Sequence, residues 1–306
     1  MSTSLSLRSI YDLNGLVALV TGGGTGIGLM IAQGLAANGA KVYITGRRKA
    51  VLDKVVDAWD QEKAASSPRD ADSCGISVQM DVTSRESILE VKKLIQDKEG
   101  KLHILVNNAG QVGPVSTFLR DPTAPECKDP ETLGQALFDN ETFGEWSDIY
   151  TINTFSIFFV TTAFLGLLDK GSRESQTPGF TSSVINITSM SGVIKVAQEH
   201  FGYNSAKAAA SHLTRMMATE FAIRGVQVRV NSIAPGVYES QLTHDVIPPE
   251  MVDKVGKGLM PVPAKRAGTA QEMAGTVIYL ASPAGCYTNG QEIVVDGGFI
   301  AVNPSV

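Results

Sequence analysis

Short runs of apolar residues alternate along this chain with longer stretches in which apolar residues recur at helical spacing. The run LVALVTG at 16–22 is rich in β-branched residues and ends in glycine, and apolar residues at 28–39 lie three and four positions apart. Further runs typical of buried strands lie at 41–45, 76–82, 103–110, 182–189, 226–236 and 291–298. Helices are predicted over 48–64 and 84–98. Buried strands separated by helices indicate an α/β fold with a doubly wound parallel sheet of about seven strands and helices on both faces.

Two stretches interrupt this alternation within a single predicted domain at 13–301. Residues 66–75 have the composition of a surface loop. Residues 111–143 contain four prolines and many acidic residues, and they form a connection longer than compact domains normally use. We therefore expect 111–143 to be an extended loop insertion.

The composition argues against several classes of partner. The 306 residues are 43% hydrophobic and 19% charged, the net charge is −5, and the cationic residues are scattered. A nucleic acid or an anionic membrane is therefore not expected as a partner.

Cysteine usage and the N-terminal segment bear on the compartment. The three cysteines, Cys74, Cys127 and Cys286, lie far apart without a CxxC pair. Neither a disulfide framework nor a metal site is predicted, and a reducing compartment fits best. The N-terminal segment lacks the apolar core of a signal peptide, and no later apolar run approaches about 18 residues. We expect a cytoplasmic protein that does not cross a membrane.

The segment TGGGTGIG at 21–28 places glycines directly after the first strand and at the start of a helix. Backbone amides at a helix N-terminus bind anions, and glycine lets a pyrophosphate approach closely. The spacing of Gly22, Gly26 and Gly28 does not match GxGxxG in any register. The position nevertheless predicts a dinucleotide site, and the alternative is a purely structural turn from strand to helix.

The end of the second strand bears on the choice of dinucleotide. Sites for NAD place an acid there to bind the ribose hydroxyls. This chain has Gly46 near that position, followed by Arg47 and Arg48. Two guanidinium groups would pair with a 2′-phosphate, and Thr25 of the glycine turn could add a hydroxyl. We predict NADP(H) rather than NAD(H); the alternative is that the arginines solvate the start of a helix.

The segment FGYNSAK at 201–207 places Tyr203 and Lys207 four positions apart. In a helix the two side chains lie one turn apart on one face. A free tyrosine has a pKa of about 10, and a neighbouring lysine cation favours the phenolate and lowers that pKa. The pair predicts acid/base chemistry, but taken alone it could also be two neighbours on a surface helix.

Six motifs in a fixed order resemble the short-chain dehydrogenase/reductase family. They span nearly the whole chain, from about Leu13 to Phe299, and are TGGGTGIG (21–28), NNAG (107–110), Asn153 in YTINTFS, Ser189 in INITSMSG, YNSAK (203–207) and NSIAPG (231–236). Within the family, the segments at 28–44 and 267–299 are similar to 3-oxoacyl-[acyl-carrier-protein] reductases of the rhamnolipid type. The resemblance implies a Rossmann-type fold and an oxidoreductase.

The resemblance implies a catalytic role for four residues. Tyr203 would be the general acid for carbonyl reduction and the base in the reverse direction, and Lys207 would bind the nicotinamide ribose hydroxyls and lower the pKa of Tyr203. Ser189 would donate a hydrogen bond to the substrate oxygen, and it is preferred to the other hydroxyls of TSMSG because it lies three residues before Gly192. Asn153 would hold a water that links Lys207 to solvent.

The same resemblance implies an NADP(H) site with contributions from several segments. By segment, the residues are Gly22, Gly24, Thr25, Gly26, Ile27 and Gly28 in the glycine turn; Arg47 and Arg48 at the 2′-phosphate; Asp81 and Val82 at the adenine; Asn108, Ala109 and Gly110 along the cofactor floor; Tyr203 and Lys207 at the ribose; and Pro235, Gly236, Tyr238 and Ser240 around the nicotinamide. Ser240 stands where the family often has threonine, so the hydroxyl is kept.

The resemblance places two segments on the substrate side of the site. Residues 111–143 exceed the usual connection and would emerge near the active-site mouth, at the carboxyl edge of the sheet. They form either a wall or lid over the substrate or a surface decoration. Residues 237–262 match the family's variable substrate-binding loop, and Pro248 and Pro249 suit a segment that moves.

The sequence thus predicts an NADPH-dependent carbonyl reductase for a ketone, such as a 3-oxoacyl thioester or a polyketide-like compound. An alcohol, polyol or steroid dehydrogenase stays open as an alternative, since the chemistry and the cofactor site are shared. A non-catalytic NADP(H)-sensing protein would not need all four catalytic residues. The resemblance also implies a homo-oligomer, a dimer or a tetramer, with helices around 144–168 and 204–224 at the dimer interface.

Overall fold

The computed structural model describes residues 5–66, 75–238, 261–303 and 305. Almost all of the predicted surface loop at 66–75 lies outside the described residues, as do Ser240 and most of the predicted substrate-binding loop at 237–262.

Seven parallel strands form one sheet in the order β3-β2-β1-β4-β5-β6-β7. Their bounds are β1 Val17–Thr21, β2 Lys41–Gly46, β3 Gly75–Gln79, β4 Ile104–Asn107, β5 Ser182–Ile187, β6 Val228–Pro235 and β7 Glu292–Val295. The predicted doubly wound parallel sheet is confirmed. The strand order reverses between β1 and β4, and ligands of open α/β sheets bind at the carboxyl ends of the strands where the order reverses.

Helices connect the strands and cover both faces of the sheet. Their bounds are α1 Leu7–Ile10, α2 Gly26–Ala37, α3 Lys49–Ser66, α4 Arg85–Glu99, α5 Pro130–Asn140, α6 Phe143–Tyr150, α7 Ser156–Arg173, α8 Phe201–Ile223, α9 Ala270–Ala281 and α10 Phe299–Val302. A π-helical turn at Thr151–Phe155 joins α6 to α7.

Successive strand residues pack on opposite faces of the sheet. Leu19 belongs to a core cluster with residues of α4, α7 and α8, whereas its neighbour Val20 belongs to a second cluster with residues of α2, α3 and α9. Both side chains are fully buried. Burial on both faces explains why the strands read as continuous apolar runs in the sequence.

The insertion 111–143 differs from the predicted extended loop. It contains two short 3₁₀ turns, Thr117–Arg120 and Pro125–Cys127, and the helix α5. The Asp129 side chain caps α5, and Pro130 occupies its first turn. Both are strong signals for a helix start. The loop was predicted instead because of the other prolines in the segment.

One described helical stretch is long and apolar enough to cross a membrane by length and composition alone. It is Phe143–Arg173, and the mean hydropathy of its most apolar 18 residues is 1.7. Serines, threonines and Asn153 interrupt this stretch, so it is not an uninterrupted apolar run of the kind that the sequence was expected to lack. Of the 18 most apolar residues, 56% are buried inside the fold. The core helix of a soluble protein meets the same criterion of length and composition.

Candidate active site

A cleft of about 580 Å³ opens at the carboxyl ends of the strands. Its lining includes every catalytic and cofactor-binding residue predicted from the sequence except Ser240, which lies outside the described residues. Residues that were not predicted also line it, namely Thr45, Val51, Leu52, Met80, Gln111, Ile152, Ile187 and Thr188. Their only sequence signal was their position next to the predicted motifs.

The glycine turn brings backbone atoms of three segments into close contact. Gly22 has a φ of +66°, and a Cβ at Gly28 would lie 2.2 Å from the Gly22 carbonyl oxygen. The Asn108 side-chain amide donates to the carbonyl oxygens of Thr21 and Gly22 at 3.0 and 3.2 Å, which ties the turn to the end of β4. Thr25 precedes α2 without capping it through its side chain. The bare amides at the start of α2 suit a pyrophosphate.

The end of β2 is positively charged and sterically open. Arg47 and Arg48 are exposed at the cleft, and the nearest atom to a Cβ at Gly46 would be a methyl carbon at 3.8 Å. Burial raises the pKa of Asp81, but hydrogen bonds from Thr83 and the charge of Arg47 outweigh burial and hold that pKa below its usual value. Asp81 therefore stays ionised and offsets part of the arginine charge.

Asn153 is fully buried in the π-helical turn between α6 and α7. Its Nδ2 donates to the backbone carbonyl oxygen of Gln111 at 2.8 Å, and its Oδ1 accepts from the backbone amide of Gln111 at 3.1 Å. A Cβ at Gly110 would lie 2.6 Å from Asn153 Oδ1 and 3.7 Å from Lys207 Nζ. Glycine at 110 therefore leaves the space that Asn153 and Lys207 occupy. The water assigned to Asn153 by resemblance stays a prediction.

Ser189 and Tyr203 meet where β5 ends and α8 begins. Ser189 is 8% exposed, follows β5 and forms a hydrogen bond with Tyr203 in the first turn of α8. The neighbouring Thr188 turns its hydroxyl to the Ile233 carbonyl oxygen at 2.9 Å. The geometry therefore favours Ser189 over Thr188 as the hydroxyl that faces the tyrosine.

The expected lowering of the Tyr203 pKa by Lys207 is not seen in the protein by itself. Burial raises the pKa of Tyr203, and the hydrogen bond with Ser189 opposes this only in part. Lys207 Nζ lies 5.8 Å from the centre of the Tyr203 ring and donates to the Ile187 carbonyl oxygen at 2.8 Å. Burial lowers the pKa of Lys207 to about 8, since the cation loses hydration. Tyr203 is therefore a protonated phenol at neutral pH.

A carboxylate next to the site that is only 10% exposed was missed in the sequence. Glu292 Oε1, on β7, accepts from the hydroxyls of Thr188, Ser211 and Ser232 at 2.8, 2.5 and 3.2 Å. Arg215 Nη2 lies 3.6 Å from the other oxygen. These contacts tie the end of β5, the middle of α8 and β6 to β7. An acid at the start of the apolar run EIVV was the signal that could have found it.

Comparisons with known proteins agree with this geometry. A family model described as Enoyl-(Acyl carrier protein) reductase matches residues 22–300. The chain is 36% identical to the short-chain dehydrogenase/reductase VdtF of Byssochlamys spectabilis, over 99% of this chain and 98% of that protein. The chain belongs to the short-chain dehydrogenase/reductase family. The resemblance carried by the six sequence motifs is thereby confirmed.

Two further matches cover nearly the whole chain. The rhamnolipids biosynthesis 3-oxoacyl-[acyl-carrier-protein] reductase of Pseudomonas aeruginosa is 31% identical, over 96% of this chain and 98% of that protein. The solved structure of the Pseudomonas aeruginosa RhlG/NADP active-site complex is 29% identical with a TM-score of 0.75, over 96% of this chain and 99% of that chain. These matches support an NAD(P)-dependent oxidoreductase.

The cleft fits a nicotinamide dinucleotide of the kind that short-chain dehydrogenases/reductases use. Side chains at Gly22, Gly28 or Gly110 would each meet atoms of the protein itself, so these glycines let the turn pack against Asn108 and Asn153. Glycine in such a turn also lets a pyrophosphate approach the backbone. The start of α2 would hold the pyrophosphate, and the Tyr203 and Lys207 end of the cleft would hold the nicotinamide ribose.

Proposed function

We propose that the protein is an NADPH-dependent carbonyl reductase whose substrate is a ketone of the 3-oxoacyl thioester or polyketide-like class. The observation that carries the proposal is the placement of the Tyr203 phenol beside Ser189 in the cleft, where it is a protonated donor at neutral pH. Reduction of a carbonyl at neutral pH needs a proton donor at this position, whereas oxidation of an alcohol needs the phenolate.

Proton transfer and orientation fall to the chain's own residues. Ser189 donates a hydrogen bond to the carbonyl oxygen and stabilises the negative charge that develops there. Tyr203 donates its proton to the same oxygen. Lys207 would hold the ribose of the cofactor and, with a water bound by Asn153, would return a proton from solvent to Tyr203. The nicotinamide, when bound, would supply the hydride.

The preference for NADPH rests on the charge at the end of β2. Arg47 and Arg48 line the cleft there, and Gly46 offers no carboxylate that would repel a 2′-phosphate. Guanidinium groups bind phosphate through charge-assisted hydrogen bonds. The similar Pseudomonas aeruginosa structure is a complex with NADP, which supports the same choice.

The assembly that we propose is a homodimer or homotetramer. Helix α7 and the π-helical turn before it expose Phe155, Phe158 and Phe159, and helix α8 exposes Met216 and Ile223. Apolar surface of this kind marks a contact with another protein surface. A second copy of the chain would cover it.

For the compartment we propose the cytoplasm, with neither nucleic acid nor membrane as a partner. Cys127 and Cys286 are free thiols, which suits a reducing environment. The substrate class draws further support from the similar Pseudomonas aeruginosa protein, which is named a 3-oxoacyl-[acyl-carrier-protein] reductase.

NADPH oxidation, followed optically, tests the proposal against a panel of 3-oxoacyl thioesters, cyclic ketones and aromatic diketones. We expect turnover of at least one class, with kcat/KM at least about tenfold lower for NADH, since a hydrogen bond to a charged group contributes roughly 1.5–3 kcal/mol. Tight NADPH binding without turnover of any carbonyl would contradict the proposal and favour a sensing protein. Efficient oxidation of alcohols without reduction of the matching ketones would favour a dehydrogenase.

A further inference from the structure

The insertion 111–143 contacts the turn at 196–200, which leads directly into the catalytic helix α8. The Ser116 amide donates to the Glu199 carbonyl oxygen at 2.9 Å. Arg120 Nε donates to Glu199 Oε2 at 2.7 Å, and the Glu199 side chain is only 15% exposed. The insertion therefore holds Glu199 by its backbone and by its charge.

The anchor of this contact is itself fixed by α5 and α6. Ser116 is fully buried, and its hydroxyl donates to Glu141 Oε1 at 2.7 Å. Asn140 Nδ2 donates to the Ser116 hydroxyl at 3.2 Å, and Trp146 Nε1 donates to Glu141 Oε2 at 2.7 Å. The Trp146 ring in turn lies against Gly202, 3.7 Å from where a Cβ would stand. The network thus runs from the end of α5 to the first turn of α8.

The turn at 196–200 has a backbone conformation that its residues rarely adopt. Gln198 has a φ of +49° and Glu199 a φ of +72°, although neither is glycine. Residues persist in such a conformation only where surrounding contacts determine it. The contacts from Ser116 and Arg120 fall on one of these two residues.

His200, the next residue, lies against the predicted proton donor. Its ring packs edge to face on Tyr203, with 6.4 Å between ring centroids. Its Nδ1 is buried and finds no hydrogen-bond partner among the described residues. The contact between His200 and Tyr203 is thus one of ring packing.

We propose that Arg120 and Glu199 are positioning residues whose ion pair fixes the turn at 196–200, so that His200 packs against Tyr203 and holds its phenol in place for proton transfer. The inference rests on the proposed role of Tyr203 as proton donor. Neither Arg120 nor Glu199 is among the described residues that line the cofactor cleft, so we expect the pair to affect proton transfer rather than NADPH binding. The insertion is then a support for the proton donor.

Kinetics of Arg120→Ala, Glu199→Ala and the double variant test the ion pair. We expect kcat/KM for the best carbonyl substrate to fall about three- to tenfold in each single variant, the range set by losing one edge-to-face ring contact. The double variant falls no further, because both changes break the same pair. The Kd for NADPH stays within about twofold of wild type, and Arg120→Lys recovers part of the loss.

The matched control is Lys170→Ala. Lys170 pairs with Glu174 at 3.7 Å at the C-terminal end of α7, where both side chains are exposed. We expect no change in kcat/KM there. A loss equal to that of Arg120→Ala, or a weakened NADPH Kd in Arg120→Ala, would overturn the proposal.

Two variants of His200 test the packing of its ring against Tyr203. His200→Phe keeps a ring against Tyr203 and should retain kcat/KM within about twofold, whereas His200→Ala should lose as much as Arg120→Ala. Equal losses in both His200 variants would overturn the role of ring packing.

Hydrogen exchange of the wild type and Arg120→Ala supplies a readout that needs no substrate. We expect faster exchange at the Ser116 amide and across 196–204 in Arg120→Ala, and no change in Lys170→Ala. Unchanged exchange at these sites would overturn the proposal that the ion pair of Arg120 and Glu199 fixes the turn at 196–200. A wild type without carbonyl turnover would overturn the proposed function instead, and the exchange result would still decide whether the insertion holds the turn.

Discussion

The two sides of the cleft are built in different ways. The cofactor side consists of backbone and small residues at strand ends, such as Gly22 and Gly28 locked by Asn108. In our proposal the substrate side depends on side-chain pairs between surface segments, such as Arg120 and Glu199, which are 79 positions apart. Backbone sites at strand ends leave local motifs in the sequence, whereas pairs between distant surface segments leave none. The residues of the cofactor side can therefore be predicted more easily from the sequence. We also expect them to tolerate substitution less well.

Gly28→Ala should have the largest effect, on the cofactor side. The new Cβ would lie 2.2 Å from the Gly22 carbonyl oxygen and 2.4 Å from Asn108 Nδ2, and neither atom can move without opening the turn. We expect the free energy of unfolding to fall by about 3 kcal/mol or more and NADPH affinity by about 30-fold or more. Denaturant unfolding and a fluorescence titration with NADPH measure the two effects.

Gly275→Ala is the matched control for Gly28→Ala. It also lies in a helix, α9, but its Cβ would meet no atom within 4 Å. We expect unchanged NADPH affinity and a free energy of unfolding higher by up to about 1 kcal/mol, since alanine favours the helix. Similar losses in the two variants would show that the glycine turn has no special packing requirement.

The stability of the protein without cofactor should depend on pH through Lys207. Its pKa is about 8 in the folded protein against a reference value of 10.5. Between these two values the unfolded chain binds more protons, so stability rises with pH, and below the lower value the full cost of burying the cation is present. Relative to Lys207→Met, the free energy of unfolding of wild type should rise by up to about 3 kcal/mol across this window. Urea unfolding at several pH values measures it, and a difference independent of pH would contradict a buried cation.

Arg47→Ala and Arg48→Ala should have smaller effects, because both guanidinium groups are exposed. We expect each substitution to weaken NADPH binding about five- to tenfold and to leave NADH binding unchanged. The difference in NADPH affinity between wild type and variant should shrink at high salt. Gly46→Asp, which the open space at Gly46 permits, should shift the preference toward NADH. The control is Lys49→Ala, since Lys49 already pairs with Asp53. Equal losses of NADPH and NADH affinity in the arginine variants would contradict binding of the 2′-phosphate by Arg47 and Arg48.

Most of the sheet could be predicted from the sequence, because strands buried on both faces are apolar throughout. β1 at Val17–Thr21 lies within the predicted run at 16–22, and β5 at Ser182–Ile187 within 182–189. Helix α2 begins two residues before its predicted start at 28, because Gly26 joins the helix despite a φ of +54°. The direction of alternate side chains to opposite cores then follows from strand geometry.

The parts that could not be predicted depend on tertiary contacts. The pKa of Tyr203 was expected to fall through Lys207, but burial, which no local pattern reports, raises it. The capping of α5 by Asp129 was local and could have been found, whereas the place of the insertion against Glu199 was not encoded nearby. Glu292 likewise gains its three hydroxyl partners only when β5, α8 and β6 assemble around it.

The most direct test of the central claim is carbonyl turnover by Tyr203→Phe with NADPH. Phenylalanine keeps the ring beside His200 and removes only the hydroxyl that donates the proton. We predict that kcat falls by about 10²–10⁴-fold while the Kd for NADPH stays within about twofold of wild type. Turnover within about tenfold of wild type, with the same NADPH affinity, would contradict Tyr203 as the proton donor.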